Sequence, residues 1–238
     1  MTDRAIVLAG GLGTRLKPYT HALPKPLVPV GEYPILEIVI RQLAKAGFKH
    51  ITLAVNHQAE IIKAYFQDGK KWNVQIDYSL ELKMLGTMGP LSIIDNLPES
   101  FLVMNGDILT DLNYRDIFEF HKNPKASFTI SSSIRESKID YGVLEVDKKN
   151  YLKGFSEKPS QQFMVSMGIY ILDREVCNLI PKNKAFGFDE LMHEMLKKKL
   201  KVNVKTFKGF WLDIGRPDDY EQALKVFDDK GDTFLKKN

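Results

Sequence analysis

The first half of the chain alternates between two hydrophobic periods. Short β-branched or aromatic runs, "AIVLA" (5–9), "ITLAV" (51–55), "VQIDYS" (74–79) and "FLVMN" (101–105), read as strands. Between them, "ILEIVIRQLAKAG", "QAEIIKAYFQDG" and "GPLSIIDNL" carry helical periodicity. In the first of these, Ile35, Ile38, Val39, Leu43 and Ala46 share one face, and Gly47 supplies the stop. Such alternation predicts a largely parallel sheet with helices on both faces.

The second half changes character. "ASFTISSSI", "YGVLEVD", "YLKGFSEK" and "FMVSMGIYIL" are strands close together, with "DKKN" as a hairpin turn, so the sheet should become mixed or carry a small β-ribbon here. Helices are expected over "LNYRDIFEFH", capped by Asp111, over "FGFDELMHEMLKKK", with a stripe of Phe188, Leu191, Met192, Met195 and Leu196, and over "RPDDYEQALKVF". The predicted fold is α/β, a single-domain, Rossmann-like mixed and mostly parallel sheet flanked by helices. The end, "DDKGDTFLKKN", reads as a frayed tail or interface segment from residue 229.

Composition narrows the class. Across 238 residues, 44% hydrophobic and 27% charged content with no Pro/Gly/Ser linker is that of a soluble globular domain. Apolar runs are strand-sized and the first residues do not make a signal segment, so a cytoplasmic protein with no membrane partner is expected. The net charge of +4 is spread among interspersed acids and bases, and "LKKKLK" reads as a solvated helix end, so no nucleic-acid partner is expected. Cys177 is the single cysteine, which excludes an internal disulfide, and the five histidines show no metal-ligand spacing.

The chemistry concentrates in "LAGGLGTRLKPYTHALPKPL" (8–27). A dinucleotide fingerprint would need another glycine opening a helix, and a Walker loop would need Gly-Lys-Ser/Thr; neither occurs. What remains is a loop of glycines whose backbone amides can approach phosphate oxygens, with Arg15 as a charged fork. In "LPKPL", Pro24 and Pro26 stiffen the backbone around Lys25. Both cations and the amides suit a triphosphate. Asp107, in "NGD" at a strand's carboxyl end, falls where open α/β sheets bind ligands. Asp213, in "FWLDIGRPDDY", is a second acid, and one Mg²⁺ held by one or two carboxylates plus substrate phosphates fits that ion's habits.

"LAGGLGTRLKPYTHALPKPLVPVGEYPILE" resembles the signature of the sugar-1-phosphate nucleotidyltransferases, or NDP-sugar pyrophosphorylases, over nearly the whole chain. The resemblance implies a GT-A-like sheet and condensation of a nucleoside triphosphate with a sugar 1-phosphate. It pairs Asp107 and Asp213 as metal-binding acids, with Arg15, Lys25 and Asp107 as catalytic residues. Nucleotide would be held by Leu8, Ala9, Gly10, Gly11, Gly13, Thr14, Arg15, Lys25, Asp107 and the Gly86–Thr87 pair, with Glu81 matching the base-reading position. A carboxylate there suits the adjacent N–H donors of guanine. Gly106, Tyr141, Gly142, Glu157, Lys158, Ser166 and Gly168 would hold the sugar phosphate, Ser166 standing where the family usually has asparagine.

Residues 1–112 would thus form mainly the nucleotide half and 113–228 the sugar half. "PKPLVPV", "AVNHQAE" and "LGTMGPL" look most like mannose- and heptose-1-phosphate guanylyltransferases. A uridylyltransferase for an amino-sugar 1-phosphate such as N-acetylmuramic acid 1-phosphate is the alternative. A catalytically silent nucleotide-sugar sensor should have lost Arg15, Lys25 or an acid, and a glycosyltransferase on a related fold should carry Asp-x-Asp where "NGDILTD" stands. No hexapeptide β-helix pattern follows Phe227, so acyltransferase activity is not expected, and a monomer or homodimer is.

Overall fold

The computed structural model describes residues 3–122 and 126–235. In chain order these form β1 (Arg4–Leu8), the short β2 (Pro29–Val30) and β3 (Tyr33–Pro34), α1 (Ile35–Lys45), β4 (His50–Val55), α2 (Ala59–Phe66), β5 (Gln75–Leu80), β6 (Ser100–Asn105) and β7 (Ile108–Thr110). There follow α3 (Tyr114–Lys122), β8 (Phe128–Lys138), β9 (Val143–Val146), β10 (Leu152–Ser156), β11 (Ser160–Asp173), α4 (Phe188–Lys197), β12 (Val202–Thr206), β13 (Trp211–Asp213) and α5 (Pro217–Leu235).

Seven strands make one sheet in the order β12-β8-β11-β6-β1-β4-β5. Only β11 runs against its neighbours, β6 and β8; the other pairings in this sheet are parallel. The period-two pattern of each strand divides the core between two faces. Ala5 and Val7 of β1 join Leu43, Phe48, Ile62, Phe66 and Ile117 on the side of α1, α2 and α3. Ile6 turns to the opposite side, with Phe101, Val103, Leu191 and Met195 under α4. The expected β-ribbon is present as the antiparallel pair β9–β10, turned at "DKKN".

A third cluster decides where the chemistry can sit. Leu16, Val30, Ile35, Leu109, Leu212, Ile214, Ala223 and Phe234 pack together, so the end of the glycine loop, α1, β7, β13 and α5 meet in one place. Segments far apart in sequence are thereby held around the carboxyl ends of β1 and β6.

Four expectations need correction. Asn113, not Asp111, caps α3: its Oδ1 accepts from the Arg115 amide at 3.0 Å, while Asp111 Oδ1 accepts from the Phe210 amide at 2.7 Å. "GPLSIIDNL" makes only a 3₁₀ turn over Gly89–Ile93, because Leu91, Ile94 and Leu97 reach the core at three-residue spacing and Ile94 is already extended. Leu196 is 68% exposed, so the α4 stripe ends at Met195. Residues 229–235 are not a frayed tail: α5 continues past a non-helical Lys230, which turns Phe234 inward against Phe210 and Phe227, and Gln42 of α1 donates to the Phe234 carbonyl at 3.3 Å.

If that last turn belongs to the core, Phe234→Ala should lower unfolding free energy by about 3 kcal/mol, the usual cost of emptying a buried aromatic site. Urea denaturation followed by circular dichroism reads it directly, and an unchanged midpoint would return these residues to the status of a tail.

Candidate active site

After β1 the chain builds the β4–β5 side of the sheet and then returns to lay β6 on the other side of β1. Loops leaving the carboxyl ends of β1 and β6 therefore diverge, and a crevice opens between them. The Gly106 amide donates to the Leu8 carbonyl at 2.9 Å, which ties the two loop bases together. Into this crevice opens a cavity of about 430 Å³.

Its wall holds Leu8, Ala9, Gly10, Gly11, Gly13, Thr14, Arg15, Lys25, Glu81, Gly86, Thr87, Gly106 and Asp107, all singled out from the sequence. Leu12, Pro26, Met84, Pro90, Asn105 and Gly215 complete it. Some of these additions carried a signal: Asn105 directly precedes the Gly106–Asp107 pair, and Gly215 closes "WLDIG". Met84 and Leu12 carried none, because an apolar residue in a loop gives no sign of which way it faces.

Arg15 sits in the 3₁₀ turn Thr14–Leu16, whose Leu16 is fully buried and anchors the loop. The guanidinium is exposed at the cavity wall, and among the described residues it has no ion-pair partner. Lys25 differs. Pro24 in extended geometry and Pro26 within the 3₁₀ turn Lys25–Leu27 hold it inward, only 9% exposed, where its ammonium pairs with Asp107 Oδ2.

Asp213 reaches the same place through β13, which pairs with β7 so that Asp213 stands opposite Ile108. The Ile214 amide donates to the Asp107 carbonyl at 3.0 Å and closes the junction. Burial pushes the Asp213 carboxyl above the usual carboxylate range and the Asp107 charge pushes it further, while Lys25 and Arg15 oppose both. Asp219 holds the chain that leaves Asp213, accepting from the Arg216 amide at 2.9 Å at the start of α5.

Lys25 thus pairs with Asp107 and acts on the neighbouring Asp213 only through its charge, and among the described residues Asp107 Oδ1 is buried with no hydrogen-bond donor. A hard dication fits that arrangement: an unpartnered anionic oxygen beside a second carboxylate is the donor set magnesium uses. Among the described residues no group of three or more His, Cys, Asp or Glu side chains could hold a metal, so further ligands would come from phosphate oxygens and water.

Glu81 marks the other end of the cavity. It is 7% exposed, and its Oε2 accepts from the Leu85 amide at 3.1 Å. Its Oε1 lies 2.9 Å from where a Cβ on Gly10 would sit, so the carboxylate rests directly against the glycine loop. Thr87 contributes backbone more than hydroxyl, since its Oγ1 accepts from the Phe188 amide at 2.8 Å and so steadies the start of α4.

The remaining candidates divide into two groups. Ser166 and Gly168 lie on β11 just outside the cavity wall, Ser166 paired with Ser132 of β8 and Gly168 against Asn105 of β6. Tyr141, Gly142, Glu157 and Lys158 flank the exposed β9–β10 ribbon and stand outside the cavity wall. There Glu157 Oε2 is 3.2 Å from where a Gly142 Cβ would sit, and Lys158 adopts a left-handed φ of 44°, an uncommon backbone for lysine.

An open α/β sheet with a glycine loop, two cations and two acids at its switch point is an arrangement suited to a phosphate-bearing ligand. Residues 4–230 match the nucleotidyl transferase family. The chain belongs to that family, in its sugar-1-phosphate branch, and its fold is GT-A-like. It is 35% identical over 94% of its length to a mannose-1-phosphate guanylyltransferase catalytic subunit beta from Drosophila pseudoobscura pseudoobscura, and 33% identical over 93% to a UTP--glucose-1-phosphate uridylyltransferase from Synechocystis. It spans 62% of each of those relatives. A D-glycero-alpha-D-manno-heptose 1-phosphate guanylyltransferase from Campylobacter jejuni is 33% identical over 93% of the chain and is itself 98% covered. The crystal structure of HddC from Yersinia pseudotuberculosis complexed with GMP-PN superposes with a TM-score of 0.71 at 26% identity, covering 95% of this chain and all of that one. No helix among the described residues is long and apolar enough to cross a membrane.

Burial raises the Glu81 pKa, with the Leu85 hydrogen bond acting in the opposite direction. A raised folded-state pKa contributes stability that is full below the unfolded value of 4.5 and is lost as pH rises through the folded value. Glu81→Gln, which has no charge to bury, should therefore unfold at higher temperature than wild type at neutral pH, with the difference closing in acid. Thermal melts over a pH series from about 4 to 8 test this; a gap that widens on acidification would contradict it.

Proposed function

We propose that the protein condenses a nucleoside triphosphate with a sugar 1-phosphate, releasing pyrophosphate and forming an NDP-sugar, with GTP and a mannose- or heptose-type sugar preferred. The observation that carries this reading is the convergence of Lys25, Asp107 and Asp213, below a glycine loop that ends in an exposed Arg15.

A phosphate oxygen of the sugar 1-phosphate attacks the α-phosphorus in line. The bond from that phosphorus to the bridging oxygen breaks, and pyrophosphate leaves with the electron pair. The attacking oxygen is already anionic, so no proton has to be removed, and the protein's work is positioning and charge stabilisation. The loop from Gly10 to Thr14 offers backbone amides to the phosphate chain. Arg15, without an ion-pair partner among the described residues, stabilises the charge that builds on the leaving pyrophosphate. Lys25 binds phosphate while keeping Asp107 oriented. Asp107 and Asp213 would hold Mg²⁺, which when bound supplies positive charge to the α-phosphate.

Glu81 supports guanine, since a carboxylate accepts from both N1–H and N2–H. The guanylyltransferase relatives and the GMP-PN complex of HddC support the same choice. The second reading, a uridylyltransferase, draws on the Synechocystis relative, at 33% identity. On the sugar side, Glu157 and Lys158 would approach the hydroxyls and phosphate. Residues 1–112 would serve mainly the nucleotide and 113–228 the sugar phosphate, in a cytoplasmic enzyme acting as a monomer or homodimer.

A pyrophosphate-release assay crossing the common nucleoside triphosphates with a panel of sugar 1-phosphates should find its highest kcat/KM with GTP and a mannose or heptose 1-phosphate; exclusive use of UTP would overturn the role given to Glu81. In the same assay Arg15→Ala should lower kcat by roughly 10²-fold, as loss of one transition-state donor does, with a much smaller rise in the nucleotide KM. Unchanged turnover would remove Arg15 from the reaction.

A further inference from the structure

Two of the three segments most like the guanylyltransferases, "PKPLVPV" and "LGTMGPL", reach the cavity wall. The third, "AVNHQAE" (54–60), does not. Its Asn56 directly follows β4, as Glu81 directly follows β5. The parallel register sets Val55 beside Leu80, so both residues stand one step beyond the last paired positions of their strands.

The last backbone rung here runs from the Glu81 amide to the Val55 carbonyl at 2.9 Å. Asn56 adds one more rung with its side chain, Nδ2 donating to the Glu81 carbonyl at 2.7 Å. On its other side Asn56 meets the glycine loop: a Cβ on Gly10 would fall 3.2 Å from Asn56 Cβ and 2.9 Å from Glu81 Oε1. The Ala9 amide, donating to the Ala54 carbonyl at 2.8 Å, closes the β1 side of the same corner. Gly10, Asn56 and Glu81 thus follow one another across the ends of β1, β4 and β5, which are neighbours in the sheet. Glu81 is held twice, its carbonyl by Asn56 and its carboxylate by the Leu85 amide.

We infer that Asn56 is a positioning residue for base selection: from outside the cavity wall it pins the main chain of Glu81 beside the glycine loop and so fixes where the Glu81 carboxylate stands. The inference rests on the reading of Glu81 as the residue that faces the base. A carboxylate tells one base from another only when its oxygens are held at the distance and angle of particular N–H donors. At Glu81 the chain leaves the sheet, so strand pairing no longer fixes it. The Leu85 bond restrains the carboxylate end, and the Asn56 bond restrains the main chain from which that side chain starts. An amide is suited to this task because it donates to a carbonyl, whereas aspartate, of the same shape, would set oxygen against oxygen.

Asn56→Asp keeps the shape and removes the donor; Asn56→Ala removes the side chain without bringing a charge. Each variant should raise the KM for the preferred nucleoside triphosphate about tenfold, the worth of one well-placed hydrogen bond, with kcat and the sugar 1-phosphate KM near wild type. The preference for that nucleotide over the other common ones should narrow by about the same factor. In Glu81→Ala protein, Asn56→Ala should change nucleotide selectivity no further, because its effect passes through the Glu81 carboxylate. A sugar 1-phosphate KM that rises by the same factor, an additive loss in the double variant, or wild-type selectivity in both Asn56 variants while Glu81→Ala narrows it would overturn the role of Asn56 and leave that of Glu81 standing. Glu81→Ala protein with wild-type selectivity would overturn the reading of Glu81, and the role of Asn56 with it.

Discussion

Two acids against one buried lysine is the arrangement on which the rest of the molecule depends. Asp107 and Asp213 are brought together by a short antiparallel pairing, Lys25 answers only one of them, and one carboxylate oxygen is left without a donor among the described residues. Burying unbalanced charge is unfavourable, and Lys25 and Arg15 offset it only in part. Only surrounding structure can hold it. The cluster formed by Leu16, Leu109, Leu212, Ile214 and Phe234 lies behind the acids, and Asp219 fastens the exit of β13. Stability is given up at this one point, where the charges stay only partly compensated.

The two ends of the site are built differently. At one end, Glu81 is buried against the glycine loop and the Leu85–Gly89 segment is stitched to Phe186 and Phe188 by backbone and hydroxyl bonds. That end is tightly packed. The β9–β10 ribbon, by contrast, is a solvated two-stranded element, with Leu144, Val146, Leu152 and Phe155 more than half exposed. A family whose members share a nucleotide chemistry and differ in sugar can vary such a ribbon with little effect on the core.

Legibility in the sequence followed the physics of each segment. The loop 10–15, Lys25 between prolines and the "NGD" strand end were readable because each couples an unusual residue type to a local break in periodicity, and the fold brings them to one cavity. The parallel half of the sheet was readable from its alternating periods. What was missed depends on distance. Whether Asp111 or Asn113 caps α3 is settled by Phe210, nearly a hundred residues away, which takes Asp111 for itself. The inward turn of Phe234 requires Phe210, Phe227 and Gln42, and no local pattern in "DDKGDTFLKKN" announces them. Met84 and Leu12 left no mark at all, since the way an apolar loop side chain faces is set by its surroundings.

Strand β11 is at once a beam of the central sheet and the stem of an outlying arm. Its last five residues, Ile169–Asp173, are clasped by β6, whereas Ser160–Ser166 run outward with β8 alone. The register shift is the joint between these stretches. Any tilt of the outer stretch pivots on a glycine that already touches the end of β6, two residues from Asp107. The arm and the carboxyl end of β6 are for that reason joined through a single continuous strand.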